Sequence, residues 1–185
     1  LNYTKEGRDV AVLFGDGAGA VIVGPSDDPS RGILSTHLHA DGRYADILML
    51  EIFNISKKPY ITHKSLDEGR HHVKMVGKEV FKVAVSKIPE VIEEALQANN
   101  LKVEDIDLFI PHQANLRINQ FAAQRLGVPE EKFYSNIQRY GNTTAGSLPI
   151  ALSEVLEQGV IKEGSLIMMV AFGSGFTWGA SVMRW

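Results

Sequence analysis

The sequence contains no cysteine. That absence excludes a disulfide scaffold, a cysteine-ligated zinc or iron–sulfur site, and a cysteine nucleophile anywhere in these 185 residues. No sign of charge dominates either, because 19 basic and 22 acidic side chains leave a formal net charge of -3. Such a balance carries no general signal for nucleic acid, so an anionic partner has to meet a local basic patch. No apolar run approaches the roughly 18 residues of a membrane-crossing helix, and no membrane partner is expected. Residues 1–9 are polar and unlike a signal peptide. What remains, 44% hydrophobic and 22% charged, suits one globular domain with a full core and excludes bulk disorder, collagen-like repeats and coiled coil.

Two apolar runs, residues 10–14 and 18–23, flank Gly15-Asp16-Gly17 and read as a strand pair ending at Gly24-Pro25. A phosphate-loop reading of that glycine cluster fails, since no lysine follows it and a strand rather than a helix comes next. Residues 25–32 form a loop and the best candidate boundary. A strand follows over 33–40, and 41–70 sustains no period. Val73, Val76, Val80, Val83 and Ala84 then recur at helical spacing, as do Ile88, Val91, Ile92, Ala95 and Leu96. Pro89 lacks an amide proton, so this long helix should kink or split near Lys87, and Asn99-Asn100 ends it. Further on, the pattern predicts a strand over 106–110, helices over 114–126 and 147–158, and strands over 166–172 and 177–184. Alternating strands and helices with a terminal strand pair indicate an α/β or mixed layer.

Three segments could carry chemistry: PHQAN (111–115), GNTTAG (141–146) and GSGF (173–176). Each lies where a strand ends or a helix begins, the edge where loop side chains and free helix amides converge. A neutral imidazole at His112 can donate to a developing oxyanion or move a proton near pH 7, and Asn142 is an uncharged donor able to orient a carbonyl. The plainer alternatives are a cap for His112, a turn for Asn142 and a hairpin turn for 173–175. His37 and His39 share a strand face like half a metal site, but no third ligand stands at useful spacing, which favours ordinary hydrogen bonding. Lys74, Lys78 and Lys82 recur every fourth residue, and Arg117, Gln124 and Arg125 lie together on the 114–126 helix. These are either a solvated face or a dock for an acidic partner.

Six stretches, FGDGAGAVIVG (14–24), THLHADGRY (36–44), GKEVFKVAV (77–85), PHQANLRI (111–118), YGNTTAGSLPIAL (140–152) and AFGSGFTWGA (171–180), run in the order of one family. The sequence resembles the C-terminal part of β-ketoacyl-acyl-carrier-protein synthase III, the initiating condensing enzyme of type II fatty-acid synthesis. The resemblance implies a thiolase-like α/β fold of two similar halves, each a mixed five-stranded sheet with packed helices. Residues 1–30 would then close the N-terminal half with its last strand pair, and 31–185 would form the C-terminal half.

The implied reaction is a decarboxylative Claisen condensation of acetyl-CoA or another acyl-CoA with malonyl-acyl-carrier protein, without a cofactor or metal. By the resemblance His112 and Asn142 are catalytic and stabilise the malonyl enolate, and the Ser174 amide belongs to the oxyanion hole. Gly77, Phe81, Ala114 and Asn115 line the pantetheine and acyl channel, and Lys82, Arg117 and Arg125 receive the acyl carrier protein. A cytoplasmic homodimer is implied for the full-length enzyme. The family's nucleophilic cysteine is missing, along with the half that carries it, so this chain alone should be inactive. Ser174 and Lys78 also depart from a glycine and an asparagine common in the family, and residues 50–71 share no clear motif with it. The alternatives are a non-catalytic module that binds carrier protein or coenzyme A, and a related Cys-His-Asn condensing enzyme of polyketide or secondary metabolism.

Overall fold

Strand alternation organises the fold. In the computed structural model, which describes residues 1–52 and 55–185, the elements are α1 (Arg8–Ala11), β1 (Gly32–Ala40), β2 (Leu48–Leu50), α2 (His63–Asp67), β3 (Val73–Met75), α3 (Gly77–Ala98), β4 (Leu108–Pro111), α4 (Leu116–Leu126), α5 (Ile137–Tyr140), α6 (Ser147–Glu157), β5 (Leu166–Gly173) and β6 (Thr177–Arg184). β1, β6, β5 and β4 form one mixed sheet in that order, with only β4 and β5 parallel. Phe109, Met168, Val170, Phe172, Ala180 and Val182 point to one face, where α3 and α4 cover them. Leu108, Ile110 and Ile167 point to the other and pack on Ala151, Leu152 and Val155 of α6. At β4 both faces are covered, which is why this strand is buried at every position rather than every second one.

The mixed α/β class agrees with expectation, but the described sheet has four strands rather than five. Beside β4 the fifth position holds a single parallel bridge from Phe133 to Phe109, with the Tyr134 amide donating to the Phe109 carbonyl at 2.9 Å. The chain then turns into α5 before a ladder can grow.

Two helical expectations also change. The apolar period does not begin at Val73, because Val73–Met75 pairs antiparallel with Leu48–Leu50 and the helix starts at Gly77. Pro89 does not split α3, which runs unbroken from Gly77 to Ala98. Its missing donor costs about 3 kcal/mol. Ile88, Val91 and Ile92 around it are buried, at roughly 1.5–3 kcal/mol each, so packing outweighs the lost bond. Between residues 41 and 70, β2 and α2 interrupt a stretch otherwise as irregular as its sequence; Phe53 and Asn54 lie outside the described residues.

The N-terminal strand pair is not formed. Residues 8–11 are helical, and 18–23 pairs with no strand among the described residues, leaving Val21, Val23 and a fully exposed Ile22. An extended segment becomes a strand only beside another backbone, and none lies along 18–23. Residues 13–19 instead follow the segment 140–150. The Asn142 amide donates to the Leu13 carbonyl (2.8 Å), and the Gly15 amide donates to the Asn142 carbonyl (3.0 Å). Glycine at 15 makes this approach possible, since a Cβ there would overlap the Tyr140 carbonyl oxygen.

Candidate active site

His112 follows β4 by one residue, and its amide donates to the Val170 carbonyl at 2.7 Å, extending the β4–β5 register. Alternation puts residue 112 on the same face as Leu108 and Ile110, the face covered by α6. There its Nδ1 lies 2.6 Å from the Oγ of Ser147, the first residue of α6. Burial pushes the imidazole down to about 4, so His112 is neutral at pH 7.

Gln113 is almost fully buried and acts as a clamp. Its Nε2 donates to the carbonyls of Pro111 (2.8 Å) and Tyr134 (3.1 Å), and its Oε1 accepts from the Ser135 hydroxyl and the Asn136 amide. Asn136 in turn donates through Nδ2 to Glu154 at 2.7 Å. Glu154 on α6 also accepts from the Tyr134 and Tyr140 hydroxyls and from Arg139. Burial alone would raise this carboxyl, but these donors hold it below the usual carboxylate range. The loop before Asn142 is thus tied to the loop after His112 through side chains.

Asn142 is held through its backbone by Leu13 and Gly15, and its Oδ1 accepts from the Thr144 amide at 2.9 Å. Among the described residues its Nδ2 has no protein acceptor. Ser174 sits in the turn between β5 and β6, its carbonyl accepting from the Thr177 hydroxyl at 3.1 Å, and its amide is likewise without a protein acceptor among the described residues.

His112, Asn142 and Ser174 all line one open cleft of about 1590 Å³. Gly77, Phe81, Ala114 and Asn115 line it too, so seven of the positions singled out from sequence converge there. Asn115 caps α4, its Oδ1 accepting from the Arg117 amide at 3.0 Å. Arg117 borders the cleft with its guanidinium 6.0 Å from the centre of the Phe81 ring. Lys82 and Arg125 are exposed on α3 and α4 but do not line the cleft.

The paired histidines of β1 do something else. His37 and His39 both bond Glu94 of α3, at 3.0 and 2.6 Å, and no group of three metal-binding side chains comes together among the described residues. No helix there is long and apolar enough to cross a membrane.

Comparison with known proteins finds matches over the whole chain. The family model described as 3-oxoacyl-(acyl-carrier-protein) synthase III C terminal matches residues 96–185, and that of 3-oxoacyl-(acyl-carrier-protein) synthase III matches residues 1–42. The beta-ketoacyl-(acyl-carrier-protein) synthase III of Chlorobium phaeobacteroides is 44% identical over 185 residues, all of this chain and 55% of the relative. The chain belongs to the synthase III family. Among solved structures, the synthase III of Aquifex aeolicus superposes with a TM-score of 0.83 at 43% identity, covering 96% of this chain and 52% of that one. The Thermus thermophilus synthase III gives 0.82 at 38%, covering 100% and 55%. The chain therefore spans about half the length of the synthase III relatives it matches, and the mixed sheet with its packed helices is a thiolase-like fold.

Ser147, Gln113 and Glu154, which hold His112 and the loop before Asn142 in place, were not singled out from the sequence. The signals for two of them are local: Gln113 lies within PHQAN (111–115), and Ser147 begins a helix. Glu154 had none, because its partners lie 14 to 20 residues away in sequence.

Proposed function

We propose that the full-length protein condenses an acyl-CoA starter with malonyl-acyl-carrier protein, with loss of carbon dioxide, as the initiating step of fatty-acid synthesis. The observation that carries this reading is a desolvated, neutral imidazole and an uncommitted amide donor on the wall of one cleft. Two uncharged donors suit an oxygen that becomes negative only during reaction, and losing one such donor typically costs roughly 3 kcal/mol. His112 and Asn142 donate to the malonyl thioester oxygen. The bond to the carboxylate breaks, its electron pair moves into the enolate, and carbon dioxide departs. The enolate carbon then attacks the acyl thioester carbonyl, whose oxygen receives the Ser174 amide, and the thiolate is expelled.

That thiolate belongs to a cysteine outside these residues, since the chain has none. Residues 1–30 close the half that carries it, and 31–185 form the second half. Gly77, Phe81, Ala114 and Asn115 hold the pantetheine arm and acyl group, while Lys82, Arg117 and Arg125 attract the acidic carrier protein. The protein works in the cytoplasm as a homodimer, with acyl-CoA and malonyl-carrier protein as substrates and no cofactor.

The test separates the half-reactions in the full-length protein. His112→Ala and Asn142→Ala should each reduce carbon dioxide release from malonyl-carrier protein by about 100-fold or more. Formation of the acyl-enzyme from labelled acetyl-CoA should persist, on a cysteine absent from this sequence. Normal decarboxylation in either variant would remove both roles.

A further inference from the structure

We propose that the Ser147 hydroxyl is a positioning group that locks His112 in the tautomer with its single proton on Nε2. The argument is a count of protons. Ser147 Oγ lies 2.6 Å from His112 Nδ1 and 3.3 Å from the Gln113 backbone nitrogen. The Gln113 N–H can only donate, so Oγ accepts it. Oγ keeps one proton of its own, and Nδ1 is its one acceptor among the described residues. The hydroxyl therefore donates to Nδ1, which must be bare. A neutral imidazole has one N–H, and with Nδ1 bare it resides on Nε2.

Nε2 has no protein partner among the described residues, while His112 lines the cleft. The ring thus presents a proton rather than a lone pair. Ser147 is buried and begins α6, whose Leu152 and Val155 are anchored in the core, so the hydroxyl cannot drift from the ring. Burial that keeps the imidazole neutral completes the arrangement, because a protonated ring would need no tautomer choice. This inference rests on His112 acting as a donor to the thioester oxygen. The opposite tautomer would aim a lone pair at a forming oxyanion and repel it.

The experiment uses the full-length protein with nitrogen-15 histidine, in which two-bond proton–nitrogen correlation distinguishes bare from protonated ring nitrogens. At pH 7 His112 should carry its proton on Nε2. In Ser147→Ala the Nδ1–H form should appear, and decarboxylation should fall about 10- to 100-fold, less than the loss of a donor outright. Starter acylation should change less than about twofold, and Ser147→Thr should restore both tautomer and rate. A wild-type His112 protonated on Nδ1 overturns the proposal without recourse to any variant. So does a Ser147→Ala protein that keeps either the Nε2–H form alone or the full rate. A wild-type protein with Nε2–H that releases no carbon dioxide would instead overturn the condensing reaction and leave the hydroxyl's assignment intact.

Discussion

The Tyr140 hydroxyl donates to Glu154 Oε1 at 2.6 Å, fixing the residue two before Asn142 to the helix that begins with Ser147. One carboxylate on α6 therefore holds the approach to one donor of the site, while the start of the same helix touches the other.

Replacing that carboxylate should loosen the whole junction. Glu154→Ala strands two tyrosine hydroxyls, the Asn136 amide and Arg139, and hydrogen bonds to charged groups are worth about 1.5–3 kcal/mol each. Water can reach Arg139 and Tyr140, so the expected loss is about 3 kcal/mol rather than the sum. Tyr140→Phe should lose only about 1 kcal/mol. Urea unfolding of the two variants reads the difference, and equal effects would show that Glu154 is not a shared hub.

The glycine at 15 should resist substitution where others do not. A Cβ at Gly15 meets backbone, the Tyr140 carbonyl, and backbone cannot swing aside, whereas a Cβ at Gly42 meets nothing within 4 Å. Gly15→Ala should cost about 2–3 kcal/mol, and Gly42→Ala close to zero. Thermal unfolding with limited proteolysis of residues 1–24 checks both. Similar melting temperatures would mean that the 13–19 segment is not held against 140–150.

Acidification should draw on His112. Its folded value of about 4 lies below the ordinary 6.5, so between those pH values the unfolded chain binds a proton that the folded chain refuses. Stability is complete above pH 6.5 and falls as pH drops towards 4, by about 3 kcal/mol from this group. His112→Gln cannot titrate and should show a shallower loss. Denaturant midpoints at pH 7, 5.5 and 4 measure it, and parallel pH profiles for the two proteins would refute the assignment.

Charge reversal should separate docking from chemistry. Arg125 is exposed on α4 and contributes to holding the Glu90 carboxyl low, after the hydrogen bonds from Lys87 and Ser86. In the full-length protein Arg125→Glu or Lys82→Glu should weaken use of malonyl-carrier protein by about tenfold, mainly through slower association. The acetyl-CoA half-reaction should barely change. Added salt should mimic the substitutions, because the Debye length is only about 8 Å at physiological ionic strength. Equal damage to both half-reactions would point to the fold instead.

The legible parts of the molecule were those whose signal is local. Residues 166–173 and 177–184 pair as adjacent strands across a Gly-Ser-Gly turn, with every element of the pairing contiguous in sequence. α4 ends where Gly127 adopts φ 68, a conformation written in the residue type. That His112 and Asn142 face one cleft follows from their places at the end of a strand and in a glycine-framed turn, both marked by short motifs. The run 18–23 misled for the opposite reason. Its apolar pattern specifies a strand only if a neighbouring backbone exists, and Ile22 stands fully exposed without one. Of the kink or split that Pro89 predicted, the split does not occur, because burial of α3 outweighs the lost hydrogen bond.

By itself, the sequence determined the mixed α/β class, the extent of most of its strands and helices and the identity of the polar groups, which follow from periodicities of two or 3.6 residues and from turn chemistry. It also fixed that no thiol is available within these residues. Tertiary structure alone decided which groups meet. Ser147 reaches His112 across 35 residues, and Glu154 gathers four donors from 14 to 20 residues away. No sequence period encodes such contacts, because a hydrogen bond depends on separation in space to within a few tenths of an ångström, and that separation is set only when α6 packs against β4.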